Sequence, residues 1–369
     1  MSSLDLLSET SPAGREAGLS SSQDRILSGS YDGLIRTWDA SGQLLATSAS
    51  ASDGGHSAAV KAVKFLSPTR TVSAGMDRTL RIWNYTDSDS PDTTASFTPV
   101  LELYGHTASV DRLAVHTPTS RILSASADHT VGIWGASKSS APAAPSNLLP
   151  TALGNKRRKL SNLSNPAKSL PQRGPLALMA GHSAPVSDIT FKPSDATVAY
   201  STSWDHGMKT WDLPTQKCVD TRSTAQSLLS VEAMGEVNLV AAGTSARHIT
   251  LIDPRASATS VVAMTLRGHS NGVVSLVAHP SNGYILCSGS HDGTVRVWDV
   301  RSVRAGTGGV GEGGMVGESV FVVEREGMGA KRPVGGEGVK VFGVAWDERW
   351  GIVSCGEDKK VQVNREEGK

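Results

Sequence analysis

Cysteine is scarce in this chain of 369 residues: Cys218, Cys287 and Cys355 lie far apart, with no close Cys or Cys/His spacing of the kind that builds disulfide frameworks or metal sites. Each falls in an apolar, strand-like run and reads as the buried thiol of an intracellular protein. There is no apolar run of about eighteen residues, which excludes a membrane-spanning helix. The first residues, "MSSLDLLSETSP", lack the basic flank and long apolar core of a signal peptide, so a membrane partner is not expected. Neither charge is in excess: a formal net charge of +1 gives no whole-molecule basic field with which to grip phosphate.

What the chain does have is a repeat, which outranks every local signal in deciding the fold. "ILSGSYDGLIRTWD" (26–39), "TVSAGMDRTLRIWN" (71–84), "ILSASADHTVGIWG" (122–135), "AYSTSWDHGMKTWD" (199–212), "ILCSGSHDGTVRVWD" (285–299) and "IVSCGEDKKVQVN" (352–364) align on Asp32, Asp77, Asp128, Asp205, Asp292 and Asp358. A Ser precedes each Asp by four positions, at Ser28, Ser73, Ser124, Ser201, Ser288 and Ser354. A Trp follows by six in all but the last, at Trp38, Trp83, Trp134, Trp211 and Trp298. Each copy reads as a β-hairpin: an apolar strand, a turn holding the Asp, and a second strand alternating apolar and polar residues. Gly-His pairs ending in His56, His106, His182 and His269 stand 21 to 23 residues before four of the Asp residues, leaving room for one more strand such as "AVKAVKF" or "VVSLVAH". Segments such as "QLLATSA" and "KCVDTRS" supply a fourth. The pattern resembles the blade of a WD-repeat β-propeller.

His, Ser and Asp together invite a catalytic reading, but a nucleophilic triad occurs once per site. Here the set recurs with its Trp as His56/Ser73/Asp77/Trp83, His106/Ser124/Asp128/Trp134, His182/Ser201/Asp205/Trp211 and His269/Ser288/Asp292/Trp298. Indole, hydroxyl, imidazole and carboxylate can form one hydrogen-bonded chain tying strands together within a blade. These are expected to be structural tetrads; no catalytic residue, metal ligand, cofactor or small-molecule substrate is expected.

The stretch "AAGTSARHITLIDPRAS" (241–257) keeps the rhythm and loses the markers: Thr224, Ala242, Ala246 and Ile252 fill the His, Ser, Asp and Trp slots. Losing one member strands a buried polar group, whereas losing all of them together is close to neutral. Counting this hairpin (240–253) gives seven blades in a single propeller spanning 1–369. Residues 2–7, "SSLDLL", are expected to be the first strand of blade one. The chain stops at "VQVNREEGK", the third strand of blade seven, so the ring is expected to lack its closing outer strand and to leave an unpaired edge.

Two interruptions exceed a normal loop. Residues 136–174 are rich in Ser, Pro and Ala, carry no acid, and are expected to be a disordered basic insertion. Their core, Lys156, Arg157, Arg158 and Lys159, reads either as a nuclear-import signal or as a solvated basic loop. Residues 304–318 are expected to be a Gly-rich linker. Gly306, Gly308 and Gly311 match G-x-G-x-x-G there, but no helix-forming pattern follows.

Beyond the repeat, the wording of "SGSYDGLIRTWD", "LELYGHTASVDRLAVH", "SKSSAPAAPSNLLP" with "KRRKL", "YSTSWDH", "GTSARHITLIDPRASAT" and "GGEGVKVFGVAWD" resembles, over essentially the whole chain, one family. It is the fungal form of the WD-repeat subunit of the pescadillo–Bop–WD-repeat (PeBoW) complex. The resemblance implies a non-enzymatic scaffold of the nucleolus and nucleoplasm that binds pescadillo, the Bop-type WD-repeat protein and the pre-large-subunit ribosomal particle, and that is needed for maturation of large-subunit rRNAs. Members of that family carry an N-terminal ubiquitin-like domain gripped by the AAA ATPase midasin. This chain does not include it, so contact with midasin is expected to be lost. The alternative is a WD-repeat adaptor of another nuclear complex, such as a ubiquitin-ligase substrate receptor, and direct RNA binding stands third.

Partner contacts belong on the faces of a propeller. The residue before each turn Asp projects at one face, which makes Tyr31, Met76, Trp204 and His291 candidate partner-binding residues; for Trp204, packing on a neighbouring loop is the alternative. In the fifth hairpin Arg247, His248 and Arg255, with Asp253, read either as a contact surface or as salt bridges supporting the blade.

Overall fold

The computed structural model describes residues 1–8, 11, 24–39, 41–86, 95–145, 170–256, 262–305, 315–325 and 339–365. The fold is all-β, and the 3-10 turn Ala51–Asp53 is the one helical element among the described residues. Tight turns between the apolar runs, many with one residue in the left-handed conformation such as Gly33, Arg78 or His129, join them into antiparallel meanders. The first contains β1 (Ser3–Leu7), β2 (Arg25–Gly29), β3 (Ile35–Trp38) and β4 (Leu44–Thr47). The second is β5 (Val60–Ser67), β6 (Arg70–Gly75), β7 (Thr79–Thr86) and β8 (Ser96–Tyr104). The third is β9 (Val110–His116), β10 (Arg121–Ser126) and β11 (Thr130–Gly135), completed after the insertion by β13 (Ala177–Ala180), while the intervening β12 (Gln172–Arg173) pairs parallel with β8. The fourth is β14 (Val186–Lys192), β15 (Asp195–Ser203), β16 (Gly207–Asp212) and β17 (Lys217–Ser223).

One eight-stranded sheet follows. It is formed by two meanders, β18 (Leu228–Met234), β19 (Leu239–Thr244), β20 (His248–Ile252), β21 (Met264–Arg267) and β22 (Val273–Ala278), β23 (Ile285–Ser290), β24 (Thr294–Ala305), β25 (Met315–Glu324). Their outer strands join by parallel pairing of Met264–Leu266 with Met315–Gly317. Three strands close the series: β26 (Val341–Asp347), β27 (Gly351–Gly356) and β28 (Val361–Asn364).

The first strands of successive meanders touch in order, β1 to β5, β9, β14, β18, β22 and β26, and β26 returns to β1. They form a closed circuit around a channel. Apolar clusters fill the seams between neighbouring sheets, including Leu4, Leu6, Ile26, Trp350, Val353 and Cys355 between the last sheet and the first. Sheets approach closely where small residues stand: a Cβ on Gly289 would sit 2.5 Å from Val344 on the next sheet's first strand. The last seam is also pinned by polar contacts. The N-terminal amine of Met1 donates to the Gly356 carbonyl at 3.2 Å, Ser8 Oγ donates to Asp347 at 2.6 Å, and Arg349 pairs with Asp24 at 3.1 Å.

Several expectations need correction. The strand after the turn need not alternate as its sequence does: Thr79 and Arg81 of β7 are buried beside their apolar neighbours, because adjacent sheets cover both faces. Cys218 is exposed, since β17 is an outer strand; Cys287 and Cys355 are buried, and burial pushes the Cys355 thiol up to about 11. The insertion is ordered at both ends, where Ala136 and Ala141 are buried and the Ala143 backbone bridges Arg173; its core, Lys156 to Lys159, lies outside the described residues. The Gly-rich segment is likewise strand at its ends, in β24 and β25, and Gly306, Gly308 and Gly311 lie outside the described residues.

Candidate functional site

In four sheets the repeated side chains meet. Trp83 Nε1 donates to Ser73 Oγ at 2.8 Å, Ser73 Oγ lies 2.6 Å from His56 Nε2, and His56 Nδ1 lies 2.8 Å from Asp77. The set at His106, Ser124, Asp128 and Trp134 has distances of 2.8, 2.7 and 2.8 Å from indole to carboxylate. At His182, Ser201, Asp205 and Trp211 all three are 2.8 Å. At His269, Ser288, Asp292 and Trp298 they are 2.8, 2.7 and 2.9 Å. The arrangement suits a neutral imidazole that donates from Nδ1 to the carboxylate and accepts at Nε2 from the serine hydroxyl.

Electrostatics agree. Burial holds His56 and His182 below the ordinary imidazole range, their carboxylate neighbours opposing it. Burial alone would raise Asp77, but hydrogen bonds from His56, Thr79 and the Ser57 amide outweigh it and bring the carboxyl down to about 2. Asp128, Asp205 and Asp292 are lowered in the same way. All four serines have 0% exposure, so no dissolved substrate reaches a hydroxyl. Among the described residues no group of His, Cys, Asp and Glu could hold a metal, and no helix is long and apolar enough to cross a membrane.

The fifth meander keeps the register without the chemistry. Ile252 pairs opposite Val240 as Trp83 pairs opposite Thr71, and both Ala242 and Ile252 are fully buried. Thr224 turns its hydroxyl to backbone carbonyls, donating to Gln226 at 2.8 Å.

The last sheet has a substitute that the repeat spacing does not reveal. Arg325, 2% exposed, donates from Nη1 to Ser354 Oγ at 2.8 Å and from Nη2 to Asp358 Oδ1 at 2.9 Å. Its guanidinium thus spans the serine and the aspartate where the other sheets use imidazole. In sequence Arg325 stands 33 residues before Asp358 rather than 21 to 23. The one available signal was that Ser354 and Asp358 persist without a His. In the first sheet Trp38 Nε1 donates to Ser28 at 2.9 Å, while Asp32 pairs with Arg36 at 2.6 Å.

The turns carrying these aspartates share one face. The backbone N–H of Met76, Ala127, Trp204, Ser245, His291 and Glu357 each donates to a carbonyl just ahead of its own sheet's first strand. Tyr31, Met76 and Trp204 are 52%, 52% and 56% exposed there. Tyr31 and His291 pack edge-on against Phe342 at 6.1 and 5.8 Å, and Lys61 lies 5.6 Å over the Tyr31 ring. The fifth-hairpin residues do not form one surface. Arg247 is exposed on this face and the His248 imidazole donates to the Ala246 carbonyl at 3.1 Å, but Arg255 lies past the far end of β20, paired with Asp253 at 2.9 Å. An extended strand rises about 3.3 Å per residue, which carries Arg255 to the opposite face.

The channel encloses a cavity of about 480 Å³ lined by the first strands. Asp5 pairs with Lys64 at 2.9 Å, and Arg112 of β9 reaches across to the carbonyls of Val274 and Phe342, at 3.0 and 3.4 Å. Burial raises Asp188 and pushes Glu232 up to about 7.

The WD domain, G-beta repeat family matches residues 17–39, 42–84, 97–135, 173–212 and 260–299. The fifth hairpin and the last one fall outside these segments, as their missing markers lead one to expect. The crystal structure of the WD40 beta propeller domain of Doa1 superposes with a TM-score of 0.63, covering 93% of this chain and 90% of that one at 16% identity, which supports the fold alone. Much nearer in sequence are proteins named "Ribosome biogenesis protein ytm1". Those of Aspergillus oryzae and Aspergillus niger are each 56% identical, over 100% and 99% of this chain and 75% and 74% of their own lengths. That of Emericella nidulans is 55% identical over 100% of this chain and 76% of its own length. An all-β propeller that aligns from end to end at this identity leaves one conclusion: the chain belongs to the WD-repeat family of fungal ribosome biogenesis protein ytm1.

Proposed function

We propose that the chain is a non-enzymatic, nuclear scaffold of large ribosomal subunit assembly. In this reading it is a seven-bladed propeller whose turn face binds pescadillo and the Bop-type WD-repeat protein and joins them to the pre-large-subunit particle. The observation that carries the role in ribosome biogenesis is the end-to-end likeness to proteins bearing that name. The site geometry supports a scaffold over an enzyme: the recurring His-Ser-Asp sets are sealed from solvent, while large apolar side chains at Tyr31, Met76 and Trp204 stand exposed, as anchors of protein interfaces do. The circuit of first strands supports seven blades, the last carrying three strands among the described residues. The basic run Lys156–Arg157–Arg158–Lys159 supports import into the nucleus.

Affinity purification of the tagged chain from fungal nuclear extract tests the reading. Pescadillo, the Bop-type protein and large-subunit rRNA precursors are expected to copurify. A purification retaining none of them, or one dominated by ubiquitin-ligase subunits, contradicts it.

A further inference from the structure

The residue that follows the turn Asp position occupies the same backbone conformation in every blade. Gly33, Arg78, His129, His206, Arg247, Gly293 and Lys359 have φ of 82°, 68°, 71°, 68°, 71°, 82° and 63°. This left-handed region favours glycine, because a Cβ crowds the following carbonyl there. Glycine fills the slot in the first and sixth blades only. The other five positions carry a cation-forming side chain, and four of them, Arg78, His129, His206 and Arg247, are consecutive around the ring from the second blade to the fifth.

No hydrogen bond or ion pair from the side chain of Arg78, His129, His206 or Arg247 is found among the described residues. Some cations elsewhere on the surface are matched: Arg36 with Asp32, Arg255 with Asp253 and Arg301 with Asp299, at 2.6, 2.9 and 2.8 Å. The aspartates beside three of the four arc positions are turned inward. Asp77, Asp128 and Asp205 each accept from an imidazole and from the amide of Ser57, Thr107 or Ser183, at 2.8 to 3.0 Å. The fifth blade has Ala246 in place of an aspartate. Three of the four turns therefore withdraw their negative charge into the blade and the fourth has none, so each presents only the positive or donor group to solvent. Two residues earlier in the same turns stand the exposed Met76 and Trp204.

From this alternation we infer that the arc from Arg78 to Arg247 binds an extended acidic segment of a partner protein, its carboxylates on Arg78, His129, His206 and Arg247 and its apolar side chains on Met76 and Trp204. The inference rests on the turn face being the partner surface and adds the chemistry of the partner. RNA fits less well. Half of the arc is histidine rather than the permanent cations that neutralise a phosphate backbone, and the chain's net charge is +1. Carboxylates are satisfied by Arg and by imidazole N–H donors alike.

Fluorescence anisotropy tests it with a labelled peptide of glutamate and aspartate interleaved with leucine and phenylalanine, and with labelled oligouridylate of equal charge as the competing probe. The peptide is expected to bind saturably and more tightly than the RNA. The double variant Arg78→Glu with Arg247→Glu is expected to weaken it by about tenfold or more, as reversed charges at an interface do, while Arg301→Glu leaves it unchanged. Absence of saturable peptide binding, equal binding by the double variant, or tighter binding of oligouridylate overturns the inference. Copurification of partners that is lost in Met76→Ala with Trp204→Ala would still uphold the turn face in any of those cases, so the two readings fail separately.

Discussion

Arg325 lies across Ser354 and Asp358 of the last sheet as His56 lies across Ser73 and Asp77 of the second, with Nη1 2.8 Å from the serine and Nη2 2.9 Å from the carboxylate. The same structural task, joining the serine of one strand to the turn aspartate, is performed by two different cation-forming groups. Arg325 arrives from the segment just after β25, so it also ties the eight-stranded sheet to the last one.

Replacing Arg325 should be among the more destabilising changes in the molecule. Arg325→Ala leaves Asp358 and Ser354 facing a cavity, and breaking a buried, multiply bonded pair of this kind costs about 3 kcal/mol or more. Arg325→Ala combined with Asp358→Ala is expected to cost less than the two single changes added together, because no uncompensated charge remains. Urea unfolding of the three variants checks both statements.

Ser124→Ala removes the hydroxyl shared by Trp134 and His106 and leaves the indole N–H without its acceptor. A loss of about 1–3 kcal/mol is expected, with no loss of partner capture, since the site is sealed. A capture defect at unchanged stability would instead point to a functional serine.

Glu232 supplies a pH dependence with a known sign. Its carboxyl is raised to about 7 by burial in the channel, above its ordinary 4.5, so its contribution to stability is full below pH 4.5 and is lost as pH rises through 7. Glu232→Gln should therefore gain on the parent chain at pH 8, by about 1–2 kcal/mol after allowance for water in the channel, and gain little at pH 4.5. Melting temperatures at the two pH values decide it; a larger gain at pH 4.5 contradicts the assignment.

His56 works in the opposite direction. Burial lowers its folded value below the ordinary 6.5, so the unfolded chain takes up the proton first and the stability it contributes is present above pH 6.5 and declines as pH falls below it. The stability gap between the parent chain and His56→Gln is expected to narrow from pH 7.5 to pH 5.5. A gap that widens would mean that the imidazole is held as a cation.

Much of this organisation was legible because it repeats. Ser73, Asp77 and Trp83 recur at fixed steps, and a fixed step within a hairpin fixes geometry. Arg325 was not legible, because it reaches its partners from another blade at no regular distance. Arg247 and Arg255 misled for the converse reason: they are neighbours along the chain, but β20 is extended and carries them to opposite faces. Cys218 looked buried from its apolar neighbours, yet β17 is the outer strand of its sheet, and strand order across a sheet is not written in local composition. The cation arc likewise appears only when the left-handed turn positions of successive blades are set side by side.

The central claim is that the turn face holds assembly partners while the blades are scaffold, and it is tested most directly by affinity purification of the parent chain beside Tyr31→Ala, Met76→Ala and Trp204→Ala combined in one variant. The parent chain is predicted to retain pescadillo and the Bop-type protein, and the triple variant to lose them by about tenfold or more with its melting temperature essentially unchanged. Full retention by the triple variant, or no retention by the parent chain, would contradict the account.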